Sequence, residues 1–88
     1  MLQNELAITI LKDAPVTEGH SLIIPRRHIE TYFQLTHPEI SLMNQLIFKQ
    51  REYLSGEFKV NDFNIRIDDG VIAGQIIPHT HIHLIPRR

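Results

Sequence analysis

The chain has 88 residues, a formal net charge of −1, 42% hydrophobic and 22% charged residues, and no cysteine. Those figures describe one globular domain and exclude a disulfide framework, a cysteine-based zinc site and the broad basic footprint of a nucleic-acid binder. No segment approaches the ~20 apolar residues that span a bilayer, and the start Met1-Leu2-Gln3-Asn4-Glu5 lacks the basic and apolar runs of a signal peptide, so a cytoplasmic protein without membrane or nucleic-acid partners is expected. A domain of this size buries only about 60–65% of the surface of its unfolded chain, so a partner subunit would help complete its core.

In chain order, Leu6–Leu11 reads as a strand and Lys12-Asp13-Ala14-Pro15 breaks it. His20–Ile24 reads as a second strand stopped by Pro25, close enough to the first for an antiparallel hairpin. Thr36-His37-Pro38-Glu39 is a helix start: Thr36 caps, Pro38 is tolerated in the first turn, and Glu39 sits where a capping box needs it. The helix is expected to run to about Ser55 and to end at Gly56. Ile40, Met43, Ile47 and Leu54 form its apolar stripe, widened by Leu46 and Tyr53. Asp62–Asp68 alternates strictly, with Phe63, Ile65 and Ile67 facing in and Asn64, Arg66 and Asp68 facing out. Asp69-Gly70 marks a turn and Gly74 a second flexible point, after which a last strand carries the remaining histidines. The order of elements predicts an α+β fold: an antiparallel sheet with one long helix packed on one face.

The chemistry concentrates in His79-Thr80-His81-Ile82-His83-Leu84-Ile85. In a strand, residues two apart share a face, so His79, His81 and His83 line one surface while Thr80, Ile82 and Leu84 turn to the core. Imidazoles accept, donate and carry protons near neutral pH. His79 and His83 lie roughly 13 Å apart along a strand, at about 3.3 Å per residue, too far for one ion at zinc–nitrogen distances of about 2.0–2.1 Å. A metal site would therefore need other ligands, with His20 the attractive recruit; loss of activity on chelation would mark it. Nucleophilic catalysis fits better, because a neutral imidazole with a fixed tautomer attacks phosphorus well. Gly70-Val71-Ile72-Ala73-Gly74-Gln75 could cradle a phosphate with backbone N–H groups and the Gln75 amide. His28 and His37 read as surface or capping residues.

Ala73-Gly74-Gln75 followed by His79–Arg87 resembles the signature of the histidine triad (HIT) superfamily, and Pro15–His28 resembles that family's other characteristic stretch, in the right order with a helix between. The resemblance covers nearly the whole chain. It implies a nucleotide hydrolase or transferase acting at a nucleotide α-phosphate through a nucleotidyl-histidine intermediate, with no catalytic metal and no cofactor. The middle histidine, His81, matches the nucleophile; His79 and His83 match residues that organise the site and contact phosphate. His20 matches the histidine of a Gly-His pair near the triad, Gly74 belongs to the phosphate side, and Gln75 matches a position that polarises the phosphate or leaving group. The resemblance also implies a two-fold homodimer whose sheet continues across subunits. The chain departs from the family at two positions. The ribose-contacting Asp or Asn falls on Lys12, with Asp13 next to it, and Asp68 stands where relatives often carry Asn or Gln. With little before the first strand and Arg88 directly after the motif, the expectation is a single HIT-like domain over 1–88, minimal or shortened at both ends.

The leading expectation is therefore hydrolysis of nucleoside phosphoramidates or dinucleoside polyphosphates, with a purine nucleotide as substrate. The alternative is a nucleotide-binding module of the same fold with weak or lost catalysis. Turnover separates the two.

Overall fold

The computed structural model describes residues 2–88. Strands β1 (Ala7–Leu11), β2 (Ser21–Pro25), β3 (Asp62–Arg66) and β4 (Ile82–Arg87) form one sheet in the order β1-β2-β4-β3, and helix α1 (His37–Phe58) joins β2 to β3. Every neighbouring pair is antiparallel. The α+β arrangement read from the sequence holds, including the β1–β2 hairpin. Among the described residues no helix is long and apolar enough to cross a membrane.

Alternation along the strands sorts their side chains. Ala7, Ile23, Ile82 and Leu84 turn to one face, where α1 supplies Met43, Leu46, Ile47 and Leu54 to a single buried cluster. Burying a Leu or Ile side chain is worth about 1.5–3 kcal/mol. One polar link crosses this layer: the buried Gln50 Nε2 donates to Ser21 Oγ at 2.9 Å, and Ser21 Oγ donates to the Gly19 carbonyl. Gly19 has φ +92°, a conformation that favours glycine, and a Cβ there would crowd the Leu54 and Phe58 side chains at 3.0 and 3.1 Å.

The capping box is present as read. Thr36 Oγ1 accepts from the Glu39 N–H, and the Glu39 carboxylate accepts from the Thr36 N–H. Arg27 adds a two-pronged contact to Glu39 at 2.9 and 3.0 Å, and this pairing holds the Glu39 carboxyl down at about 2. The far end of α1 differs from expectation. The helix passes through Gly56 to Phe58, and Lys59 takes the left-handed closing position with φ 57°. Phe58 still packs against the core cluster, and that burial outweighs the local preference to stop at glycine. Tyr53, expected to widen the apolar stripe, is instead 57% exposed.

Two further boundaries move. β3 ends at Arg66 rather than Asp68, and the α1 backbone lies over β1, β2 and β4, meeting β3 only through side chains such as Arg51, whose guanidinium lies 5.7 Å from the centre of the Phe63 ring. Ile65 has the expected orientation, opposite Leu84, but stays 61% exposed because nothing covers this edge. β4 begins at Ile82, so His79, Thr80 and His81 form its approach. There the Thr80 N–H bonds to the Ile29 carbonyl at 2.7 Å.

Candidate active site

The site lies on the sheet face opposite α1. Register places Ile10 opposite Leu22, Leu22 opposite His83, and His83 opposite Arg66. Directly paired residues share a face, so these four make a row across all four strands. The row floors a cleft of about 350 Å³ that is also lined by Leu11, Lys12, Asp13, Asp68, Gly74 and His81. The floor is apolar on the β1 and β2 side, where Lys12 and Asp13 follow β1, and charged on the β3 side at Arg66 and Asp68.

The backbone fixes the tautomers. The Val16 N–H donates to His20 Nδ1 at 3.2 Å, so a neutral His20 carries its proton on Nε2. That N–H donates to His83 Nδ1 at 2.9 Å, which leaves the His83 proton on Nε2, facing Asp68 Oδ2 at 3.8 Å. His81 is oriented separately. Its Nδ1–H donates to the His79 carbonyl at 2.9 Å, so its Nε2 holds a lone pair. The His81 and His83 rings meet edge to face with centroids 4.9 Å apart.

Burial keeps the relay neutral. It is the main cause that pushes His83 down to about 4, aided by the charges of His81, Arg66 and His20 and opposed by Asp68. His20 is lowered too, first by burial and then by Lys12, Arg66 and Arg87. Both rings can accept and donate without carrying charge at neutral pH.

The sequence-derived residues do not all converge. His81, His83, Asp13 and Gly74 line the cleft, and His20 stands behind His83. His79 does not line it. Its Nε2–H donates to the Pro25 carbonyl at 2.8 Å, its ring meets His28 edge on, and its contribution is the carbonyl that orients His81. Gln75 is turned away: its amide donates to the Glu30 and Ile77 carbonyls at 2.8 and 3.0 Å, and its oxygen accepts from the Gly70 N–H. The glycine loop is closed on itself, since the N–H groups of Ala73, Gly74 and Gln75 all bond within the turn. Lys12 reaches back to the Asp13 carbonyl at 3.1 Å.

Two contributors were not visible as site residues in the sequence. Val16 sets the tautomer chain through its backbone, which leaves no mark in residue type. Arg66 read as an outward, solvated side chain; pairing with His83 brings it into the cleft, where its Nε lies 3.3 Å from Asp68 Oδ2. That contact offsets the charge of the Asp68 carboxylate in the cleft. Among the described residues, no three His, Asp or Glu side chains are arranged to share a metal ion.

Comparison with known proteins identifies the family. The HIT domain matches the chain over residues 1–88. The chain is 34% identical over 86 residues to the asymmetrical bis(5'-nucleosyl)-tetraphosphatase of Schizosaccharomyces pombe, a match covering 98% of this chain and 47% of that protein. The structure superposes on a HIT family protein from Bacillus anthracis with TM-score 0.94 and 34% identity, covering 99% of this chain and 62% of that one. It superposes on the Plasmodium falciparum diadenosine triphosphate hydrolase with TM-score 0.95 and 31% identity, covering 99% of this chain and 59% of that one. The chain spans about half the length of the curated relatives it matches. With the chain matched by the HIT domain over residues 1–88 and the fold shared with solved HIT structures, the chain belongs to the HIT family.

Proposed function

We propose that the protein is a hydrolase of dinucleoside polyphosphates or nucleoside phosphoramidates that works through a covalent nucleotidyl-His81 intermediate. The observation that carries this reading is the His81 tautomer: Nδ1–H is held on the His79 carbonyl, so Nε2 keeps its lone pair. In the first step that lone pair forms a bond to the α-phosphorus. The bond to the leaving oxygen or nitrogen breaks, and the leaving group departs with the electron pair and takes up a proton. In the second step water attacks the same phosphorus, the N–P bond breaks, its electrons return to Nε2, and the water proton is released. His83 supplies an N–H toward the charge that develops on the phosphoryl oxygens, with His20 fixing its direction. Ile10 and Leu22 offer an apolar floor for a purine, Asp13 faces the ribose, and Gly74 keeps the wall free of a side chain. Gln75 could polarise the phosphate only after its amide leaves the Glu30 and Ile77 carbonyls.

Replacing His81 by Ala tests this. Turnover of diadenosine tetraphosphate should fall by about a thousandfold or more, with AMP binding within about tenfold, because the nucleophile acts in the transition state. Turnover within tenfold of the unsubstituted protein would overturn the assignment. A nucleotide-binding module is the second reading, supported by Lys12 and Asp68 in the cleft and by the inward-tied Gln75. Tight AMP binding by the unsubstituted chain with no turnover of either substrate class would favour it.

A further inference from the structure

Arg66 is the one cation that the sheet register places beside His83. The two residues face each other across β3 and β4, one strand spacing apart, which is about 4.8 Å. The cleft runs along the same line from Ile10 and Leu22, with Lys12 and Asp13 at their end of the wall, to Arg66 and Asp68 on the other side. A nucleoside seated on the apolar end, with its α-phosphate at His81 and His83, directs its leaving group toward β3.

The arginine is prepared for a ligand in that place. Its Nε lies 3.3 Å from Asp68 Oδ2, and its side chain is half exposed. Among the described residues its contact with Asp68 is made through Nε, which leaves the two terminal nitrogens to face the cleft. A guanidinium with Nε beside a carboxylate presents its terminal nitrogens as a planar fork, the shape that takes two oxygens of one phosphate. Asp68 cancels the net charge of the pair, so discrimination comes from directed hydrogen bonds rather than from general attraction.

We propose that Arg66 is a specificity-determining residue that grips the first phosphate of an anionic leaving group, and so biases the cleft toward phosphoanhydrides over substrates with an uncharged leaving group. This rests on the reading of His81 as the attacking group at the α-phosphate. Chemistry and atom balance are unchanged from that reading; Arg66 binds oxygens and transfers nothing.

The test compares Arg66→Gln and Arg66→Lys with the unsubstituted protein on two substrates that share AMP: diadenosine tetraphosphate and a fluorogenic aryl ester of AMP, whose leaving group carries no phosphate. The readout is the ratio of the two kcat/KM values. Arg66→Gln should lower that ratio by about 10- to 100-fold, the range expected for hydrogen bonds to a charged group, and Arg66→Lys should recover part of it. An equal fall on both substrates would overturn the proposal and make Arg66 a support for Asp68 and His83. An unchanged ratio would overturn it as well. If the unsubstituted protein turns over neither substrate, the hydrolase reading fails, and affinity for ATP relative to AMP replaces the rate ratio. A preference for ATP lost in Arg66→Gln then supports the phosphate grip, and a preference that survives refutes it.

Discussion

At the scale of residues, a backbone N–H at Val16 determines what a ring nitrogen in the cleft can do. It makes His20 Nδ1 an acceptor, which makes His83 Nδ1 an acceptor, which turns the His83 N–H toward Asp68 in the cleft. The arrangement has a thermodynamic signature. The His83 side chain is 6% exposed, and in the folded protein its pKa is about 4, against 6.5 for the unperturbed ring. Between those values the unfolded chain binds more protons than the folded one, so stability is fully present above pH 6.5 and is lost as pH falls toward 4. The loss attributable to His83 is on the order of 2–3 kcal/mol, with His20 acting in the same direction. His20, His81 and Arg66 face this ring and disfavour its charge, and Asp68 favours it. Glu39 does not interfere, since its contribution is lost only between pH 4.5 and about 2. Urea unfolding at pH 7.5, 6.5, 5.5 and 4.5 should show the decline, and His83→Gln should flatten it. A curve flat down to pH 4.5 in the unsubstituted protein would contradict the buried neutral relay.

At the scale of elements, the start of α1 and the strand register hold the site in place. The capping box closes around Thr36, with Arg27 locking the Glu39 carboxylate from the residues that follow β2. Thr36→Ala should lower the unfolding free energy by about 1–2 kcal/mol, read as a shift in denaturant midpoint with unchanged slope. No measurable shift would mean that Arg27 alone fixes Glu39. This start was legible in the sequence because a cap is a local pattern of four residues. The same is true of the histidine run and of the Gly19-His20 pair. Arg66 was not legible as a cleft residue, because its place depends on which residue of β4 it opposes, 17 positions away. The position of the Gln75 amide was not legible for a similar reason: close in sequence to the histidines, it ties its turn to the Glu30 carbonyl 45 positions away. The helix end was missed because Gly56 is a local stop signal and Phe58 obeys a tertiary one.

At the scale of the whole molecule, the uncovered part of the sheet calls for a partner. β3 is an edge strand that α1 covers only in part, and between them Ile65 and Phe48 stand exposed around a shallow hollow that also touches Arg51, Phe63 and Leu84. An edge strand with apolar neighbours pairs readily with a second strand, and a two-fold partner would continue the sheet while covering this hollow. Light scattering at micromolar concentration should give the mass of a dimer, and Ile65→Lys should shift it toward monomer. A monomer mass with full activity would remove the dimer from the account.

The central claim is the attack by His81, and the most direct measurement is mass spectrometry of protein quenched in acid-free denaturant within milliseconds of mixing with diadenosine tetraphosphate. The account predicts a transient species heavier by one AMP, mapped to His81 and absent in His81→Ala. Steady turnover with no nucleotide ever found on His81, or with the adduct mapped to another residue, would contradict it.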